Sequence, residues 1–313
     1  TKGFVTDVVK TIPDYTYFYT CGPEPMLKAL SAATKTSGQL SFEERMGCGF
    51  GACMGCSCKT KYGNKRICKD GKGGNYMVNT KVTLSGITLD NPVIPASGTF
   101  GYGYEFAELY DINILGTFSF KGTTREPRFG NPTPRIAECT AGMINSVGLQ
   151  NPGVEKVISE ELPKLKKCFH KPVIANVSGF SIEEYAETCA LLDKEPQVGI
   201  LEVNVSCPNV HHGGMSFGTD PAAAAAVTKA VKAVTSKPVY IKLTPNVTDI
   251  VSIAKACEEA GADGIALINT MMGMRIDLKT KKPVIANKMG GFSGSAIFPV
   301  AVRMVYQVAE AVN

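Results

Sequence analysis

No run of eighteen apolar residues occurs in the 313-residue sequence, so a membrane-spanning helix is not supported. The amino end also lacks the basic, then apolar, then small-residue order of a secretory signal, and the expectation is a cytoplasmic protein. Histidine is scarce, with three in the chain. His211 and His212 form a loop pair without further ligands, a pattern more often solvated than metal-bound. A general basic surface for nucleic acid is missing as well. Residues 1–78 hold 11 Lys and Arg against 6 Asp and Glu, which accounts for the whole net charge of +5, while the remaining 22 of each sign cancel. Apolar residues, by contrast, make up 44%, enough for two domains or one large domain with an appendage. Cysteine is plentiful too, at eleven, and in a reducing compartment these read as free thiols and metal ligands rather than disulfides.

Four of the cysteines, Cys48, Cys53, Cys56 and Cys68, stand in the order C-x4-C-x2-C-x11-C. This is the loop spacing that wraps a [2Fe-2S] cluster in plant-type ferredoxins. Gly47, Gly49, Gly51 and Gly55 are interspersed, so the backbone can turn tightly enough to aim several thiolates at one centre. A zinc site would more often show two C-x2-C pairs. Cys58 falls outside the spacing. Lys59, Lys61, Lys65, Arg66, Lys69 and Lys72 follow the loop, and such cations would partly offset the formal charge of about −2 on a four-thiolate diferric cluster.

Asp14 to Tyr19 is a β-rich run that stops at Cys21-Gly22-Pro23, and a helix pattern follows from Pro25 to Ala33. A strand, a tight turn and a helix amino terminus make a place where a nucleotide can rest on free N–H groups. Gly71 to Tyr76 is linker-like, which puts a domain boundary there. Beyond it, Lys81 to Val93 reads as a hairpin around Ser85-Gly86. Apolar strand candidates then alternate with amphipathic helices: Val93–Ala96, Ile114–Lys121, Pro172–Val177, Ile200–Val205, Val239–Leu243 and Gly264–Asn269. Ser181 with Glu184 forms a capping box, Asp220-Pro221 places an N-cap before a proline at N1, and Gly261 ends another helix. Such repetition argues a parallel sheet, which closed on itself would be a TIM-type (β/α)8 barrel. About six units are expected, ending on the helix Ala296 to Val312. The loops after strands seven and eight, which frequently bind phosphate in such barrels, are not among them.

The expected strand ends are polar and glycine-rich, as catalytic positions of a barrel are. They include Ser97-Gly98-Thr99, Lys121-Gly122-Thr123, Asn176-Val177-Ser178, Asn204-Val205-Ser206-Cys207-Pro208-Asn209, Lys242 and Asn269-Thr270, with a separate loop Asn145-Ser146-Val147-Gly148-Leu149-Gln150-Asn151. On these motifs residues 77–313 resemble the FMN-containing catalytic subunit of dihydroorotate dehydrogenase of the class 1B type, from Met77. Residues 1–76, with the segment Glu43-Glu44-Arg45-Met46-Gly47-Cys48, resemble the carboxyl-terminal part of its electron-transfer subunit. There Cys21-Gly22-Pro23 with Met26 is similar to the last turn of the NAD-binding domain of ferredoxin-reductase-like flavoproteins.

The resemblance implies oxidation of dihydroorotate to orotate in pyrimidine synthesis, with electrons passing from FMN through [2Fe-2S] and FAD to NAD. It implies Cys207 as the base, a role a thiol can fill when water is excluded around it. Cys168, Cys189 and Cys257 read instead as small buried apolar groups. Lys121, Asn145, Val147, Gly148, Leu149, Asn204, Asn269 and Thr270 are implied to bind the pyrimidine. Ser97, Lys121, Gly122, Asn176, Asn204, Lys242, Ile268 and Gly294 are implied to bind FMN, and Cys48, Cys53, Cys56 and Cys68 to hold the cluster. A homo-oligomer, or an assembly with an electron-transfer subunit, is the expected state. Both ends resemble cut versions of the two subunits, as if an incomplete reading frame or a natural fusion had joined them. A dihydropyrimidine-dehydrogenase-like flavoenzyme and a non-catalytic iron-sulfur and barrel fragment are the alternatives.

Overall fold

The computed structural model describes residues 6, 9, 18–22, 24–34, 38–42, 57–60, 63–66, 80–206 and 217–313. The chain divides into two compact units, Thr1–Asn79 and Thr80–Asn313.

In the first unit, β1 (Phe18–Gly22) runs into α1 (Glu24–Ala33), which buries Leu27 and Leu30, and then into β2 (Gly38–Phe42). β1 and β2 pair in parallel, with Phe18 opposite Gly38. A parallel pair joined by a helix is the βαβ unit expected beside a nucleotide. β3 (Ser57–Thr60) and β4 (Gly63–Arg66) form an antiparallel hairpin. The four expected cluster ligands, Cys48, Cys53, Cys56 and Cys68, lie outside the described residues, as do Asp14 to Tyr17 and the linker-like run Gly71 to Tyr76.

The second unit opens with the hairpin β5 (Val82–Leu84) and β6 (Ile87–Leu89). Its turn residues Ser85 and Gly86 both have positive φ, 44° and 84°, the left-handed pair that a two-residue hairpin needs. Five parallel strands follow: β7 (Ser119–Thr123), β10 (Val173–Val177), β11 (Val198–Asn204), β12 (Val239–Lys242) and β13 (Gly264–Ala266). They lie side by side in chain order. The expected first strand, Val93–Ala96, is not a strand here. Only Gly116 N to Val93 O and Ser119 N to Pro95 O tie it to the segment leading into β7, and Pro92 and Pro95 have no N–H with which to extend a ladder. The expected strand Ile114–Lys121 starts late because Ile112–Ile114 forms a 3-10 turn, capped by Asp111.

Alternation along the strands sorts the side chains onto two faces. Phe118, Phe120, Val173, Ala175, Val177, Leu201, Val203, Val239, Ile241 and Leu243 join the main apolar core. They pack with helices that offer one stripe each at i, i+3, i+4 and i+7. In α2 (Ile182–Asp193) the stripe is Tyr185, Thr188, Cys189 and Leu192; in α3 (Pro221–Lys232) it is Ala224, Val227, Thr228 and Val231; in α4 (Ile250–Glu259) it is Ile250, Ile253, Ala254 and Cys257. α5 (Phe298–Ala309) adds Met304 and Val308. Cys189 and Cys257 are thus apolar packing groups, and burial pushes the Cys257 thiol up to about 11. Ser119, Asn176, Glu202, Asn204 and Lys242 occupy the alternate positions together with the buried Ile174 and Ile200, so the second face of the sheet carries its polar groups among apolar ones.

The caps form largely as the sequence dictates. Asp220 accepts from Ala223 N at 2.9 Å, and Ser181 accepts from Glu184 N at 3.2 Å. The returning bond of that capping box goes from Phe180 N to Glu184, at 2.7 Å, one residue earlier than the motif specifies. A four-stranded antiparallel sheet is inserted after β7 and β13: β8 (Ile136–Cys139), β9 (Gly142–Asn145), β14 (Met271–Met274) and β17 (Met289–Ser293), in the order β14-β17-β9-β8. Between β14 and β17 lies the short pair β15 (Ile276–Asp277) and β16 (Lys282–Pro283).

Candidate functional site

The polar residues expected at the carboxyl ends of the strands come together in two linked groups. The first is centred on two amides. Asn204, at the end of β11, is 6% exposed, and its Oδ1 accepts from Ser206 Oγ at 2.8 Å, Ser206 N at 3.2 Å and Asn269 Nδ2 at 3.2 Å. Three donors on the oxygen fix the amide and leave Nδ2 as the end that can donate to a ligand. Asn269 is held in turn, donating to Ser206 Oγ at 2.8 Å and accepting from Thr270 N at 2.8 Å.

On β10, Asn176 has the reverse orientation. Its Nδ2 donates to Glu202 Oε1, and its Oδ1 is buried with no hydrogen-bond partner. The Ser178 hydroxyl beside it is likewise buried and unpaired. A methyl group on Gly122 would stand 2.8 Å from Asn176 Oδ1, 3.4 Å from Leu149 Cδ2 and 3.5 Å from Ser178 Oγ. Glycine at 122 therefore keeps open the space in front of an acceptor and a hydroxyl that lack partners. Leu149 brings the loop Asn145–Leu149 to the same place.

That loop is shaped by its own backbone and by residues to which the sequence assigned no role. Gly148 and Leu149 both have positive φ, 77° and 58°. Asn151 is 6% exposed and clamps the loop end: its Oδ1 accepts from Thr124 N and Gly153 N, and its Nδ2 donates to Leu149 O at 2.7 Å and Thr124 Oγ1 at 2.8 Å. Asn131 N donates to Val147 O at 2.9 Å. Asn145, in β9, pairs with Gly291 of β17, and a side chain on Gly291 would collide with Thr270 Oγ1. Asn246 links Thr244 Oγ1 to Thr270 O at 2.9 and 3.1 Å. The antiparallel insertion thus carries Asn145 to Thr270, and Thr270 leads back to Asn269 and Asn204.

Charge enters through β7, β11 and β12. Lys242 Nζ lies 3.6 Å from Glu202 Oε1, with both side chains nearly buried, and Ser119 Oγ donates to the same oxygen at 3.1 Å. Lys121 is half-buried on β7, and its N–H donates to Gly101 O at 2.8 Å. Three expected residues, Ser97, Gly294 and Ile268, stand apart from these hydrogen bonds. Ser97 is buried at the start of the short helix Ser97–Phe100, and Gly294, with φ 134°, packs on Ala141 and Gly142 ahead of α5. Ile268 lies two residues beyond the end of β13. Cys207 lies outside the described residues, three positions beyond Asn204.

Glu202, Asn151 and Asn246 were missed by the sequence reading. Asn151 closes the loop motif quoted from the sequence but drew no role there, and Glu202 left a signal as a charge inside the apolar run Ile200-Leu201-Glu202-Val203.

The family described as "Dihydroorotate dehydrogenase" matches residues 79–313. The chain belongs to the dihydroorotate dehydrogenase family. Residues 43–71 match the iron-sulfur cluster binding domain of dihydroorotate dehydrogenase B, and the two matches together identify the class 1B type. Relatives named as catalytic subunits of dihydroorotate dehydrogenase B (NAD(+)) include those of Bacillus pumilus and Geobacillus kaustophilus. They are 59% and 56% identical over 232 residues, 74% of this chain and 74% of theirs. That of Bacillus cytotoxicus is 56% identical over 237 residues, 76% of each chain. These matches do not favour the dihydropyrimidine-dehydrogenase-like alternative.

Proposed function

We propose that the chain oxidises dihydroorotate to orotate in pyrimidine synthesis, at the carboxyl ends of the parallel strands, and passes the electrons to its own cysteine loop. The observation that carries this reading is the pair of oppositely fixed amides on adjacent strands, Asn176 on β10 offering an acceptor and Asn204 on β11 offering donors. A planar heterocycle with alternating N–H and C=O groups is the ligand such a pair suits.

The residues present fit the flavin that the family uses. Asn176 Oδ1 and Ser178 Oγ are buried and unpaired, and Gly122 keeps the space before them clear. Four cysteine thiolates in ferredoxin-type spacing fit a [2Fe-2S] cluster. Bound FMN supplies the hydride acceptor, and the cluster, with FAD, supplies the route onward to NAD. Ser97, Lys121, Gly122, Asn176, Asn204, Lys242, Ile268 and Gly294 would hold FMN.

The reaction takes a proton from one carbon and a hydride from the next, so a base must face the side of that bond away from the flavin. Cys207 is the residue assigned to take the proton. Asn145, the backbone of Val147, Gly148 and Leu149, Asn204, Asn269 and Thr270 would hold the pyrimidine, and the Lys121 ammonium would attract its carboxylate. The hydrogen bonds around Asn204 support this, because they settle the orientation of its amide before any ligand arrives.

We place the sheet in an arc of a (β/α)8 barrel, the reaction in the cytoplasm, and the chain in an oligomer that includes electron-transfer subunits. No helix among the described residues is long and apolar enough to cross a membrane. Anaerobic reconstitution with FMN tests the function. Dihydroorotate should bleach the flavin absorbance and yield orotate, whereas dihydrouracil should not. A flavin that stays oxidised with dihydroorotate overturns the assignment.

A further inference from the structure

Glu202 is assigned to neither ligand, yet its carboxylate touches both strands that flank it. It accepts from Asn176 Nδ2 and from Ser119 Oγ, and it faces Lys242 Nζ at 3.6 Å; its side chain is 12% exposed. An ionised carboxylate accepts hydrogen bonds and donates none. The amide next to it must therefore present Nδ2, because the flipped amide would set two oxygens against each other in buried surroundings. With Nδ2 committed, Oδ1 is turned away from Glu202 towards Gly122, where it stands buried and unpaired. A buried acceptor left without a donor is unfavourable, and a ligand N–H removes that penalty. The oxidised isoalloxazine ring has one ring N–H, at N3.

We infer that Glu202 is a positioning residue of the flavin site, orienting the Asn176 amide so that Oδ1 accepts from the flavin N3–H. The inference rests on the flavin reading given above. It assigns the otherwise costly burial of a charge on β11 to ligand recognition: one carboxylate sets the amide on β10 and the ammonium on β12, the strands on either side. Lys242 in turn supplies the cation that makes burial of the carboxylate tolerable. Glu202 touches no reacting atom in this scheme and acts through Asn176.

The test is nitrogen NMR of the full chain reconstituted with 15N-labelled FMN, which reads N1, N3, N5 and N10 separately. In the parent, N3 should lie downfield of its position in free FMN. In Asn176→Ala and in Glu202→Met, N3 should return towards the free position while N10 stays in place. The FMN Kd should rise about tenfold in each, ~1.4 kcal/mol, with no further rise in the double variant. Glu202→Gln keeps the shape and one acceptor oxygen and should give an intermediate N3 shift; it is the variant read if the methionine variant does not fold. The proposal is overturned if N3 keeps its position in a folded Glu202 variant, or if all four nitrogens move together, which would report a general loss of structure. It is overturned too if neither Glu202 variant folds, since the carboxylate would then be structural. A parent chain that takes up no FMN refutes the flavin reading, and the inference falls with it.

Discussion

A thiol can remove a proton bound to carbon only when it is near the substrate, shielded from water and able to reach the thiolate form. Cys207 follows Asn204 by three residues, and the hydrogen bonds of Asn204, Ser206 and Asn269 fix the backbone from which it departs. Serine is nearly the same size but holds its proton far more tightly. Cys207→Ser should therefore slow flavin reduction by dihydroorotate at least ~100-fold at neutral pH, the low end of what a general base contributes. FMN binding should be unaltered, and the rate should recover as pH rises. Anaerobic stopped-flow measurement across pH checks this, and an unchanged neutral rate would remove Cys207 from the role. At this scale the residue types at the strand ends were legible in the sequence, but the orientation of each amide was not. Which end of Asn176 or Asn204 faces the ligand depends on Glu202, Ser206 and Asn269, which are distant in the chain or had no assigned role.

Among the elements, the helices were the most legible, because their start signals act within four residues. Asp220 and Ser181 each satisfy an N–H at the start of α3 and α2. Replacing either by alanine should cost ~1 kcal/mol, and the two should add because the caps belong to different helices; urea denaturation of the single and double variants measures both. The far end of α2 is held by Asp193, whose Oδ1 accepts from Ser236 N and Lys237 N at 2.9 Å each and whose Oδ2 accepts from Ser236 Oγ at 3.0 Å. Burial works to raise this carboxyl, but those N–H and O–H donors outweigh it and hold it below the ordinary value of 3.8. A carboxyl depressed in the folded state adds stability above its unfolded pKa, and that stability is lost as pH falls through the folded pKa. Asp193→Asn should therefore lower the urea midpoint at pH 6, and the difference from the parent should shrink progressively below about pH 4. A difference independent of pH would show that packing, not charge, is what Asp193 contributes. The strand at Val93–Ala96 was the element misread: its apolar run is right for a strand, but prolines at 92 and 95 withhold the donors that a ladder needs.

For the whole molecule, the two units carry separate chemistries on separate stretches of chain, the cysteine loop within residues 43–71 and the sheet within 79–313. Replacing Cys48, Cys53, Cys56 and Cys68 together by serine should abolish iron binding and leave FMN content and dihydroorotate-dependent bleaching in place, while electron delivery to NAD is lost. Iron and flavin quantitation on the same preparation decides it, and parallel loss of flavin would mean that the units depend on each other to fold. The sequence by itself determined the ligand spacing of the cluster, the alternation of strands and helices and the residue types of the site, because each is set by neighbours a few positions apart. Only the tertiary structure decided how the site is wired. The antiparallel sheet that carries Asn145 to Thr270, the bonds from Asn151 to Thr124 and the Glu202 carboxylate that turns Asn176 all join residues 25 or more positions apart, and no local pattern encodes such contacts.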